Sequence, residues 1–369
     1  MPPEDFGSYQ VYERLGAGGM ATVHRAVKRG RDRGAGSATV ALKRLLPQLS
    51  AMPEFVQPFL DEARLARHLR HAHVAQTYDF GKVGDIHYIA MELVRGPTLA
   101  QIYAHCVANR RDIPLPITLY VVVQLCDALE YAHNLCDDNG LPFGIVHRDV
   151  TPSNIIVSTA GITKLIDFGI AKATSSEVRT KTGFIKGKFA YVAPEYIAGR
   201  IDARVDLFGA GIIAHELLTG RRLFQVDNDM ETLRRVQTLT IDPPSKWNPK
   251  VPPPLDDIVM TSLARNPDER WQRARAMRNA FAHVAQKLPT SQQVAAWIAD
   301  AMVPVTSSNA SAISIEISVI EDTIVANARK PGFGADRTAR MRSRRNSLWA
   351  LAAALAIIAC SLGVYLALS

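Results

Sequence analysis

Cysteine is scarce: Cys106, Cys126, Cys136 and Cys360 are the four in 369 residues. None forms a CxxC pair or stands with histidines at metal-ligand spacing, which argues against a zinc site or disulfide framework and for a reducing compartment. The first ten residues, MPPEDFGSYQ, have neither a basic start nor an apolar core, so no signal peptide is expected. No internal repeat of about 20 to 50 residues is visible. Charge of one sign is also thin. The chain carries +8, but residues 329–345 alone hold seven basic residues and one acid. The remaining +2 is too little for a nucleic-acid surface, so no nucleic-acid partner is expected.

What is present is ordinary for a globular chain: 47% apolar and 21% charged residues, at a length that suits two lobes or domains. One long apolar run stands out. Residues 348–368 are 21 positions without a charge, which as a helix at about 1.5 Å per residue spans about 31 Å, the thickness of a bilayer core. Trp349 and Tyr365 lie near its ends, and five arginines precede it within a dozen residues. A single transmembrane helix is expected there, with the N-terminal mass cytoplasmic and only Ser369 beyond it, hence no extracellular domain. A buried helix of a soluble fold is the alternative.

Residues 9–46 read as short β-branched runs broken by glycine, the pattern of antiparallel strands with tight turns. Residues 55–69 carry apolar side chains at helical spacing behind Pro53, and residues 87–93 read as a further strand. From Leu119 onward the patterns are mostly helical, so a small β-rich lobe precedes a larger α-rich one. Near the end, Val294, Trp297, Ile298 and Ala301 form one helix face that could dock on the large lobe or on a partner. Residues 304–312 are rich in Ser, Asn and Ala, and Ile313, Ile315, Ile317 and Val319 alternate like a strand edge; a linker is the plainer reading.

The chemistry-bearing residues come as an ordered series. The glycine-rich turn from Leu15 through Gly16, Gly18, Gly19 and Ala21 to Val23 lies between two expected strands, where missing side chains let the backbone close over phosphates. Lys43 follows in Val40-Ala41-Leu42-Lys43, and Glu62, 19 residues on, could reach that amine from the helix. Then come His147-Arg148-Asp149-Val150-Thr151-Pro152-Ser153-Asn154 and, 18 residues after Asp149, Asp167-Phe168-Gly169. Ala193-Pro194-Glu195, Asp206 with Gly209, and Arg270 complete the series.

In this series residues 9–285 resemble the protein kinase catalytic domain, specifically the eukaryotic-like serine/threonine kinases of bacteria. The resemblance implies an α+β, bilobal kinase fold, with a small β-rich N-lobe at about 9–93 and a large α-rich C-lobe at about 97–285. A juxtamembrane linker at 286–345 and the membrane helix at 348–368 would follow. ATP and Mg2+, or Mn2+, are the implied cofactors. Lys43 would hold phosphates with Glu62 fixing its rotamer, Asn154 and Asp167 would bind the metal, and Asp149 would orient the incoming hydroxyl and accept its proton. Leu15, Gly16, Gly18, Gly19, Val23, Ala41 and the gatekeeper Met91 would line the nucleotide site, with Glu92 and Val94 offering backbone groups to adenine. His147 would be structural, beside Phe168. Glu195 and Arg270 would form a buried ion pair, and Asp206 would brace the catalytic loop.

The sequence departs from the family pattern at three positions. Ala21 replaces the third glycine, Thr151 stands where the catalytic-loop lysine is usual, and Lys188 stands where threonine is usual. The last two interchange residue types, so Lys188 is expected to supply the missing cation as a catalytic group. Thr180 and Thr182 are the expected autophosphorylation sites, with Arg148 as their counter-charge. The function implied is transfer of the γ-phosphate of ATP to Ser or Thr hydroxyls of proteins at the inner face of a membrane. Membrane lipid and a homodimer for trans-autophosphorylation are the further partners considered. A pseudokinase scaffold and a small-molecule phosphotransferase are the competing readings.

Overall fold

The computed structural model describes residues 2–29, 38–168, 188–197 and 199–303. The expected membrane helix at 348–368, the part of the expected 286–345 linker beyond residue 303, Thr180 and Thr182 lie outside the described residues.

Six strands form one antiparallel sheet: β1 (Glu4–Phe6), β2 (Tyr9–Ala17), β3 (Ala21–Lys28), β4 (Thr39–Leu45), β5 (Thr77–Val83) and β6 (Ile86–Glu92), in the order β1-β2-β3-β4-β6-β5. Alternation sorts β4 between two faces. Val40 and Leu42 join Phe6, Tyr9, Val11, Ala26 and Tyr88 on one side. Leu45 packs on the other with Phe55, Phe59 and Ala63 of α1 (Pro53–Ala66), so Lys43, two residues before Leu45, faces the helix side. Pro53 opens α1, where its missing N–H is no loss.

The second lobe is built on α2 (Leu99–Ala108), α3 (Leu115–His133), α4 (Pro194–Ile197), α5 (Arg204–Thr219), α6 (Asp229–Thr238), α7 (Pro253–Ser262), α8 (Ala274–Ala285) and α9 (Ser291–Ala301). Among the described residues α3 is the one helix long and apolar enough to cross a membrane, but thirteen of its 19 residues are buried, which marks a core helix. In α5, every residue from Val205 to Leu218 is buried, for the same reason. Two three-residue strands, β7 (Ile155–Val157) and β8 (Thr163–Leu165), form an antiparallel hairpin. The lobes are stitched beside it: Ala75 N donates to Leu165 O (3.0 Å), and Leu165 N donates to His73 O (2.9 Å).

Candidate active site

Register places the expected nucleotide residues on one sheet face. Val23 is opposite Lys43 on β4, and Ala41 is opposite Met91 on β6. Directly opposed residues share a face, so Val23, Ala41, Lys43 and Met91 form one wall. Above it, Gly18 N donates to Ala21 O (2.8 Å) and closes the turn. A Cβ at Gly16 or Gly19 would meet nothing within 4 Å. The glycines there leave open room rather than relieve crowding, which fits a loop that closes on phosphate. Leu15, 47% exposed, stands at the rim. Glu92 N is already committed to Gln76 O (2.8 Å), so of the backbone groups expected for adenine at this residue the carbonyl is the one on offer. Val94 lies two residues past β6, half-buried.

Three elements converge on Lys43. Its Nζ lies 2.8 Å from Glu62 Oε1 of α1 and 3.1 Å from Asp167 Oδ1, which follows β8. Burial works against the ammonium charge, but the carboxylates of Asp167 and Glu62 more than offset it and hold the pKa above the ordinary lysine value. The amine is therefore a permanent cation.

Asn154 Nδ2 donates to both Asp149 O (2.9 Å) and Asp149 Oδ2 (3.0 Å), and both residues are buried. That leaves Asn154 Oδ1 and the Asp167 carboxylate as hard oxygen donors. The described residues contain no cluster of three His, Cys, Asp or Glu able to hold a metal. Two oxygens suit a magnesium-like ion, which keeps waters and takes the rest of its shell from phosphate.

The loop carrying Asp149 is held from below. Asp206 accepts from His147 N (2.7 Å) and Arg148 N (2.8 Å), and its Oδ2 lies 2.8 Å from His133 Nε2. His147 accepts from Asp149 N at Nδ1 (3.2 Å), so its proton sits on Nε2, 3.1 Å from Ile166 O, and its ring packs 4.6 Å from that of Phe168. Arg148 and Asp167 both have positive φ, 62° and 53°, a conformation that non-glycine residues hold only under constraint. Glu195 and Arg270 form a bidentate buried pair at 2.6 and 2.7 Å.

Lys188 opens the short 3-10 helix Lys188–Tyr191; its side chain lies outside the described atoms. Tyr191 in that helix donates to Glu216 Oε2 (2.7 Å), and Arg222 Nη1 reaches both at 2.6 and 2.7 Å. Burial next to Glu216 pushes the Tyr191 pKa well up, so the phenol keeps its proton. The sequence carried no signal for this cluster, for His133 beneath Asp206, or for an ion pair from Lys164 Nζ on β8 to Glu92 Oε2 (2.8 Å). Each joins residues distant in sequence and common on surfaces.

A family model for the protein kinase domain matches residues 9–282. The chain belongs to the protein kinase domain family. Membership implies use of ATP and a divalent metal. Tyrosine-protein kinase MasK of Myxococcus xanthus is 36% identical over 279 residues, 75% of this kinase chain and 43% of MasK. Serine/threonine-protein kinase PknB of Mycolicibacterium smegmatis is 36% identical over 283 residues, covering 73% and 42%. PrkC of Bacillus subtilis is 35% identical over 274 residues, covering 73% and 39%. The chain thus spans less than half the length of these curated relatives. The crystal structure of the Mycobacterium tuberculosis PknI kinase domain superposes with a TM-score of 0.57 at 28% identity, over 76% of this chain and 97% of that domain.

Proposed function

We propose that this chain is a protein serine/threonine kinase that uses Mg-ATP, with Mn2+ as a substitute, and autophosphorylates. The observation that carries this reading is Lys43 bridging Glu62 and Asp167 at 2.8 and 3.1 Å, with Asp149 and Asn154 hydrogen-bonded beside them. Bound Mg-ATP supplies the phosphoryl group and much of the charge neutralisation. Lys43 Nζ, fixed by Glu62, presents a permanent cation to phosphate oxygens. Asn154 Oδ1 and the Asp167 carboxylate would hold the metal. Asp149, locked through Oδ2 by Asn154, takes the proton of the incoming hydroxyl on its carboxylate. Lys188 would supply the second cation.

Arg148 Nε and Nη1 are buried without a hydrogen-bond partner among the described residues. Such nitrogens favour a phosphate, which supports ordering of the activation segment by phospho-Thr180 or phospho-Thr182. The apolar run 348–368 and the basic run before it support a tether at the inner face of a membrane, with anionic lipid contacts and dimer encounters for trans-phosphorylation. Nothing favours the pseudokinase reading, since Lys43, Glu62, Asp149, Asn154 and Asp167 are all present.

The test is labelled ATP with the full chain and a basic protein acceptor, followed by phosphoamino-acid analysis. Phosphoserine and phosphothreonine are expected. Phosphotyrosine alone would move the specificity towards the one that MasK's name declares, and no transfer at all would restore the scaffold reading.

A further inference from the structure

Helix α9 begins nine residues after the matched family domain ends at residue 282, yet it is built into the large lobe. Its start is specified locally: Thr290 and Gln293 form a reciprocal capping box. Val294, Ile298 and Ala301 are buried. Trp297 and Ile298 line a small apolar cavity together with Leu99 and Ile102 of α2 and Val157 of β7. At its far end Asp300 Oδ2 accepts from Arg111 Nη2 (2.6 Å), and the same guanidinium lies 5.8 Å from the Trp297 ring.

The contact that gives this helix a further meaning is with Gly161, at the tip of the β7–β8 hairpin. Gly161 has φ of +74°, and a Cβ there would overlap Ser291 O and stand 2.8 Å from Ala295 N. Backbone thus meets backbone, with no side chain between the hairpin tip and the first turn of α9. The other end of the same hairpin carries the expected metal ligands. Asn154 directly precedes β7, and Asp167 follows β8 by two residues. Strands of three residues are about 10 Å long, so tip and ligands belong to one short, stiff unit.

That unit also holds the hinge, residues 95–97, the segment leaving the adenine side of the cleft. Val157 N donates to Pro97 O (3.1 Å), Thr159 N donates to Arg95 O (2.8 Å), and Lys164 pairs with Glu92. Gly96, at φ +154°, has no room for a Cβ against Val157 O. A shift of the hairpin therefore moves metal ligands and hinge together.

We infer that α9 is a positioning element of the nucleotide site: docked against Gly161, it sets the hairpin that aims Asn154 and Asp167 and anchors the hinge. The inference rests on the kinase reading above and adds a part that lies outside the matched domain. In sequence, α9 is also what connects the catalytic unit to the basic and apolar runs that follow.

The test uses the full chain with Gly161→Asn, since asparagine tolerates positive φ while its Cβ still collides with α9. Hydrogen exchange of residues 291–301 reports docking, and titration with Mg-ADP and with metal-free ADP, well below the melting transition, reports the site. The expected result is lost protection in α9 with Mg-ADP affinity weakened about fivefold or more, and metal-free ADP weakened less. Lost protection with Mg-ADP affinity within about twofold of wild type would make α9 a passive appendage and overturn the inference. Unchanged protection would overturn the contact itself. Should Gly161→Asn fail to fold, Trp297→Ala with Asp300→Ala loosens the helix from its other end and is read by the same criteria. Wild-type protein that binds no Mg-ADP would instead defeat the kinase reading.

Discussion

Lys164 Nζ and Glu92 Oε2, 72 positions apart in sequence, lie 2.8 Å from each other and join the β7–β8 hairpin to the strand end that borders the adenine site. Glu92 Oε2 also accepts from Gln76 N (3.2 Å), so one carboxylate ties β6, the loop before β5 and β8 together. The pair is mostly shielded, with side chains 16% and 27% exposed, which spares it the screening that makes surface pairs nearly neutral. Lys164→Met should cost about 1 to 2 kcal/mol in urea unfolding. It should also raise KM for ATP about fivefold, near 1 kcal/mol, with kcat changed less. A double-mutant cycle with Glu92→Gln checks this, because additive losses would show that the two residues act separately.

Lys43→Met and Asp149→Asn each remove one charge from the site. Both should lower kcat/KM at least a hundredfold, about 3 kcal/mol. Lys43 also matters to the fold. Its ammonium faces two carboxylates, so its removal should also cost on the order of 1 to 3 kcal/mol. Asp149→Asn keeps size and shape and should melt near wild type. Calorimetry beside a transfer assay decides, and a Lys43→Met enzyme turning over normally would sink the assignment.

How much of this was legible in the sequence depends on range. Lys43, Asp149 and Asp167 stand in short motifs whose spacing is local, and the helix over residues 55–69 follows from periodicity behind a proline. Strand β5 escaped because Asp79 and Gly81 interrupt its alternation and a register shift falls between Thr77 and Asp79. Strand β1 is three residues long, too short to show any period. The face of α9 was readable, but its partner was not, since nothing in Gly161 announces that a helix will lie on it. The positive φ of Arg148 and Asp167 is likewise invisible, because side-chain identity does not disfavour the ordinary conformation at either residue.

Glu195 and Arg270 make two charge-assisted bonds in a dry interior, where removing one partner leaves the other's charge uncompensated. Glu195→Gln should cost about 3 to 5 kcal/mol and lower the melting temperature by several degrees. The double change Glu195→Gln with Arg270→Met should cost less than the sum of the single losses. Strict additivity in thermal unfolding would contradict a coupled pair.

His215 on α5 is buried, with Nε2 3.0 Å from Asp242 O, and burial holds its pKa below the ordinary histidine value. The unfolded chain therefore takes up a proton near pH 6.5 that the folded chain refuses. The contribution is whole above that pH and is lost as pH falls towards the folded pKa, at up to about 1.4 kcal/mol per unit. His71 and His73 are held low by burial as well and add to the slope. His215→Gln should flatten, without abolishing, the fall in urea midpoint between pH 7.5 and 5.5. An unchanged slope would exonerate this histidine.

Thr151 and Lys188 carry the last prediction. Thr151, two residues past Asp149, is 5% exposed, and its Oγ1 has no hydrogen-bond partner among the described residues. The resemblance to serine/threonine kinases implies a lysine here and a threonine at 188, the reverse of this chain. If the cation has moved to the opposite wall, Lys188→Met should lower kcat about tenfold or more at saturating ATP, as for a charge lost from a low-dielectric site. Thr151→Lys alone should cost about 1 to 3 kcal/mol of stability, because a long side chain enters a closed position. Thr151→Lys combined with Lys188→Thr should recover much of the activity lost in Lys188→Met, and the two sites should be strongly non-additive in kcat. Wild-type kcat in Lys188→Met would place the cation elsewhere and end the exchange argument.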